Sequence, residues 1–133
     1  MNYSVQTLPD EPIVLVTVGA EHSVGAESLQ SMVETLETLD AQPGGVFLVY
    51  NLEEVSFSLD DVVSAITMAT RQSRVFEHRN VMEILIVTRT TLVKIAANRM
   101  SSPLFGGHKM RVFESLDSAL TYARATIRRG VRS

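Results

Sequence analysis

The chain has 133 residues, one domain's worth, with 45% apolar and 20% charged, which excludes a disordered polymer and fits a globule that buries its own core. It has no cysteine, so disulfides, thiolate metal sites and thiol nucleophiles are excluded together. Twelve Lys and Arg against fifteen Asp and Glu give a net charge of −3, whereas a nucleic-acid binder usually carries a strongly basic total.

Residues 3–8 alternate in polarity and read as an edge strand, antiparallel or mixed, closed by the turn residues Pro9-Asp10-Glu11-Pro12. Ile13–Val18 is rich in β-branched residues and stops at Gly19. Its near-continuous apolar character predicts a strand buried on both faces. Ser23 is placed to cap a helix whose Leu29, Met32, Val33, Leu36 and Leu39 share one face, with Glu27, Glu34 and Glu37 elsewhere; Pro43-Gly44-Gly45 ends it. Residues 46–50 form a second buried strand, followed by a polar loop over 51–57.

Ser58 with Asp61 three residues on predicts a second helix start, with Asp60 and Asp61 in the first turn, where the dipole favours acids. Val62, Val63, Ile66 and Ala69 or Thr70 carry that helix to about Ser73. Val81–Val87 is a third strong strand. Thr90 or Thr91 caps a third helix with Leu92, Ile95, Ala96 and Met100 on its face, closed by Pro103. Residues 109–113 make a short strand, and Ser115 caps a last helix bearing Leu116, Ala119, Leu120, Ala123 and Ile127. The order β-β-α-β-α-β-α-β-α predicts one α/β domain over 1–133, a mixed and mostly parallel sheet of about five strands with four helices.

The apolar runs fall short of the roughly 20 residues a bilayer span needs. The first residues lack a basic stretch followed by an apolar one, so no signal peptide is expected and the expected address is the cytoplasm.

Chemistry-bearing patterns are sparse. After Ile13–Val18 the chain reads Gly19-Ala20-Glu21-His22-Ser23-Val24-Gly25, with no lysine for a phosphate and with Glu21 to repel one. Gly44-Gly45 and Gly106-Gly107 precede strands rather than helices and serve turns more simply than phosphates. His22, His78 and His108 stand far apart in predicted loops, without partners at metal spacing; solvated loop histidines are the simpler reading. Arg71, Arg74, His78 and Arg79 bracket a helix end, where the dipole alone accounts for positive charge. Glu53-Glu54 and Asp60-Asp61 are neighbours on exposed turns, not carboxyls set across a cleft. There is no nucleophile elbow, so no enzyme and no cofactor are expected.

Two segments carry a resemblance. Val49-Tyr50-Asn51-Leu52-Glu53-Glu54-Val55-Ser56-Phe57-Ser58-Leu59-Asp60-Asp61 resembles the Asp-Leu-x-x-Val-x-Phe-x-Asp-Ser-Ser-Gly-Leu segment of the STAS family, the anti-sigma factor antagonist or SpoIIAA-like fold. Val112-Phe113-Glu114-Ser115-Leu116-Asp117-Ser118-Ala119-Leu120 is similar to that family's Val-Phe-x-Ser-x-x-x-Ala-Leu. The resemblance covers nearly the whole chain and implies a STAS-type fold. It also implies a partner-binding corner at Asn51, Ser58, Asp60 and Asp61. The chain departs where antagonists carry their phosphorylatable serine pair: Asp60 and Asp61 stand there, Leu59 replaces the preceding acid, and Asn51 replaces an earlier Asp. Two aspartates already supply the charge that phosphorylation adds at a helix N-terminus, which points to a constitutively acidic partner surface.

The SpoIIAA-like branch further implies a cleft for a small nonpolar ligand between the second and third predicted helices, with peripheral membrane contact. Its walls would be Val63, Ile66 and Met68 against Ile95 and Met100, with Phe105 at the lip. For any one of these residues, ordinary core packing of two helices on a sheet is the simpler reading. The leading expectation is therefore a non-catalytic regulatory module that binds a protein partner. The second is a carrier of a nonpolar ligand, and homodimerisation through an apolar helix face or edge strand fits either.

Overall fold

β-Branched runs build the centre of the molecule. The computed structural model describes residues 3–19, 26–54, 78–100 and 110–129, and within these the side chains of 26–32, 92, 96, 97, 99 and 100 are outside the description. The strands are β1 (Tyr3–Thr7), β2 (Ile13–Val18), β3 (Val46–Asn51), β4 (Val81–Val87) and β5 (Met110–Phe113). The described helices are α1 (Ala26–Asp40), α2 (Thr91–Met100) and α3 (Leu116–Arg128). The helix expected over 58–73 lies outside the described residues.

The five strands form one sheet in the order β1-β2-β3-β4-β5. β1 pairs antiparallel with β2, and the other three pairings are parallel. This is the mixed, mostly parallel sheet that the element order predicts. The β1–β2 connection turns through Asp10, whose φ of 60° is left-handed, a region Asp tolerates because its short side chain bonds locally.

Both faces of the sheet are covered. Val14, Val16, Val18, Val46, Leu48, Ile84 and Ile86 face one side, where Leu36 and Leu39 of α1 and Val93 of α2 meet them. Ile13, Leu15, Phe47, Val49, Leu85 and Val87 face the other, under Ala119 and Ala123 of α3. Fully burying each aliphatic side chain is worth about 1.5–3 kcal/mol, so the three central strands dominate stability. The small Ala119 and Ala123 leave room for the Tyr122 ring, which meets Phe47 edge-on at 6.2 Å.

Two helix faces differ from expectation. Val33 is 50% exposed while Thr35 and Leu39 are buried, so the buried stripe of α1 runs through Thr35 rather than Val33. In α2, Val93 packs on the core and Ile95 is 48% exposed. The α3 stripe is as expected, with Leu116, Leu120 and Ile127 packed beside the buried alanines.

A register shift interrupts the β3–β4 ladder: Val46 pairs with Val81, but Phe47 pairs with Glu83. Met82 is the extra residue, a bulge that lets Val81 and Ile84 join the same face.

Candidate functional site

The C-terminal ends of β3, β4 and β5 gather the polar residues nearest the expected interaction corner. In an open α/β sheet this is the rim at which binding sites usually form. β3 leaves the sheet through a neck, residues 51–54. The Asn51 side-chain oxygen accepts the Glu53 amide at 3.2 Å, an Asx turn that sets the exit direction. The Leu52 amide donates to the Val87 carbonyl at 2.8 Å, so pairing with β4 continues one residue past β3. Glu53 Oε1 then accepts the Leu116 amide, the first of α3, at 2.9 Å.

The facing segment is equally constrained. Thr88 is fully buried; its amide donates to the Phe113 carbonyl at 2.9 Å, and its hydroxyl accepts the Thr90 amide at 3.1 Å. Ser115 caps α3, its hydroxyl accepting the Ser118 amide at 3.1 Å. Lys94 Nζ lies 2.6 Å from Glu114 Oε1, and Arg89 reaches Glu53 Oε2 at 3.8 Å. The hydrogen bond from Lys94 holds the Glu114 carboxyl below the usual carboxylate range, with the charges of Lys94 and then Arg89 reinforcing it. Tyr50, just before the neck, has its phenol pushed up by burial.

Among the residues expected at the corner, Asn51 is therefore at the end of β3 with its side chain engaged in the turn. Ser58, Asp60 and Asp61 lie outside the described residues, as do Val63, Ile66, Met68 and Phe105. Met100 ends α2 with its side chain outside the description, and Ile95 is half-exposed on α2. Glu53, expected as one of two exposed acids, is instead half-buried against the N-terminus of α3. No local pattern announces that contact, because its partner is 63 residues away.

The opposite rim holds a second correction. His78 is no solvated loop histidine: its side chain is 10% exposed. Its Nδ1 accepts the Asn80 amide at 3.1 Å, which assigns the proton to Nε2, 2.7 Å from Asp40 Oδ1. The Asn80 side chain donates to the Leu39 carbonyl at 2.9 Å, a second bond beside the one from the Gln42 amide, and so ties the loop to the end of α1. His22 and His108 lie outside the described residues.

No group of three or more His, Asp or Glu among the described residues is arranged to hold a metal ion. No described helix is long and apolar enough to cross a membrane.

No protein-family model matches the chain, and no curated protein matches it in sequence. In architecture it is similar to the crystal structure of an uncharacterized DUF3478-family protein from Shewanella loihica PV-4, described as having a SpoIIAA-like fold, at TM-score 0.58 over 91% of each chain with 14% identity. The chain has a SpoIIAA-like fold. At that identity the likeness concerns architecture alone, and the function of a SpoIIAA-like domain has to be argued from its own residues.

Proposed function

We propose that this chain is a non-catalytic regulatory module that binds a protein partner through the corner following β3, without the serine switch of the antagonists it resembles. The observation that carries the reading is the neck itself. Asn51, Leu52 and Glu53 are each tied down, to the neck's own backbone, to β4 and to α3 respectively. A neck fixed in this way leaves less chain to be ordered when a partner binds, which lowers the cost of association. Two aspartates in place of the serine pair make the surface constitutively acidic and favour a partner with a basic contact face. The cytoplasm is the compartment this reading assigns.

The test is capture from a lysate of the source cells with the wild-type chain as bait, followed by purification of the retained protein and titration back. Asp60→Arg with Asp61→Arg should abolish the interaction while far-UV circular dichroism stays that of the wild type. Undiminished binding by that double variant overturns the proposal.

A second reading, a cleft for a nonpolar ligand between the second and third predicted helices, would use Ile95, half-exposed on α2, as one wall residue. It calls for a lipid or fatty acid in organic extracts of the purified chain and for binding of a polarity-sensitive dye that Ile95→Asp weakens. Clean extracts with no dye response eliminate it.

A further inference from the structure

Charge is segregated along this chain. No Lys or Arg precedes Arg71, while eleven of the fifteen Asp and Glu residues do. The strands stand in the sheet in chain order, so the segregation becomes spatial: α1 lies over β1 and β2, and α2 lies over β5. Both helices cover the same face. α1 carries Glu27, Glu34, Glu37 and Asp40 and no base. α2 carries Lys94 and Arg99 and no acid, and the exposed Arg89 stands two residues ahead of it. Glu114 pairs with Lys94, whereas Arg89 reaches Glu53 only at 3.8 Å. On the opposite face α3 returns Arg124 to Glu11, which blurs the separation there.

The same two helices hold the large apolar side chains that stay exposed among the described residues, Val33 at 50% and Ile95 at 48%. A lone exposed aliphatic side chain is ordinary on a protein surface. Here each sits near the middle of a helix of one charge, and the two helices share a face. α1 joins the parallel pair β2 and β3, and α2 joins the parallel pair β4 and β5. Both therefore run against the strands and parallel to one another.

We propose that the chain pairs with a second copy of itself through this face, α1 of each protomer against α2 of its partner. A two-fold axis running along the helices makes that match twice: acidic helix beside basic helix, and Val33 beside the partner's Ile95. An axis running across the helices would lay α1 on α1, acid on acid, and like charges set against each other repel. Charge thus selects one of the two arrangements. The contact is separate from the corner after β3, and its test needs no captured protein.

The test is sedimentation equilibrium of the purified full-length chain as wild type, Val33→Lys, Ile95→Glu and an equimolar mixture of the two variants. Far-UV circular dichroism checks that each variant keeps its fold. The wild type should be a dimer. Val33→Lys sets a cation against the basic helix and Ile95→Glu an anion against the acidic one, so each alone should dimerise at least about tenfold more weakly. In the mixture the new lysine faces the new glutamate in one contact, while the other contact is wild type. The mixture should therefore regain most of the dimer, as a heterodimer, which also excludes misfolding of either variant. Glu37→Lys, at an exposed position of α1, repeats the test of Val33→Lys without touching an apolar contact. The proposal is overturned if the wild type sediments as a monomer up to roughly millimolar concentration, if any single variant dimerises like the wild type, or if the mixture stays monomeric.

Discussion

Replacing Tyr122 with Phe isolates one hydrogen bond at the edge of the sheet. Its hydroxyl donates to Glu83 Oε1 at 2.6 Å, while Glu83 Oε2 accepts from Arg111 Nε at 2.7 Å. The ring meets Phe47 edge-on, lies 5.6 Å from Phe113, and carries the Arg111 guanidinium 4.9 Å above its centroid. Phenylalanine keeps all of those ring contacts, so the loss reports the hydroxyl alone. A hydrogen bond to a charged group contributes about 1.5–3 kcal/mol. With the Glu83 side chain 16% exposed and Tyr122 only partly buried, the lower end applies, near 1.5 kcal/mol. Glu83→Ala also frees Arg111, but that side chain is 57% exposed and rehydrates, adding no more than about 1 kcal/mol. The expected losses are therefore about 1.5 and 2.5 kcal/mol, or roughly 5 and 9 °C in Tm for a domain of this length. Urea denaturation at pH 7 followed by circular dichroism measures both, together with the double variant. Tyr122→Phe should cost almost nothing once Glu83 is alanine. If it costs the same in both backgrounds, the carboxylate–phenol bond is not what stabilises this edge.

Asp10→Gly should leave stability unchanged or raise it by about 0.5 kcal/mol, and Asp10→Val should lower it by about 1–2 kcal/mol, because a β-branched residue does not tolerate the left-handed φ at that turn; urea midpoints decide. The hydrogen bond from Arg124 holds the Glu11 carboxyl below the ordinary carboxylate range, as Lys94 does for Glu114. A folded-state pKa below the unfolded one contributes stability that is present above the ordinary range and lost as pH falls through the folded value. Glu11→Gln should therefore flatten the acid limb of a Tm–pH curve, and an unchanged limb refutes the pairing. Burial raises the phenol of Tyr50, and burial followed by the Glu83 hydrogen bond raises that of Tyr122. That stability is intact below the ordinary tyrosine range, near pH 10, and is lost as pH rises through the folded values, so Tyr50→Phe should move the onset of alkaline unfolding upward.

Sequence pattern reached the elements whose burial is uniform and stopped where a contact crosses the chain. Ile13–Val18 and the Ile84–Val87 half of β4 are legible because strands covered on both faces read as near-continuous apolar runs. The α3 stripe and the Ser115 cap are legible for the matching reason in a helix. α2 misled because Val93 and Ile95 are both β-branched yet stand roughly 200° apart around the axis, so composition cannot say which faces inward. In α1, a buried Thr35 hid the true stripe, since a polar type breaks the apolar count. The bulge at Met82 has no signature in residue type; it is a property of how two strands meet. Glu53 and His78 escaped for the same reason, since each is defined by partners that the fold brings to it.

Those two residues mark opposite rims of the sheet, and their hydrogen bonds make different predictions for variants at each rim. At the start of β4, His78 and Asn80 bind the chain to the end of α1, and the Asn80 carbonyl takes the Val46 amide at 2.7 Å. Every described polar group named there closes one structural element onto another, so substitutions at Asn80 should lower stability and leave binding of the partner unchanged at temperatures where the chain is folded. At the other rim, Asn51 and Glu53 fix a neck that leads away from the sheet. If the proposed corner is the contact surface, substitutions there should weaken partner binding at temperatures where the domain is folded. An Asn80→Ala variant that melts earlier yet binds like the wild type, beside a Glu53→Ala variant that binds weakly at temperatures where it is folded, would support function at the C-terminal rim. The reverse pattern would place it at the latch.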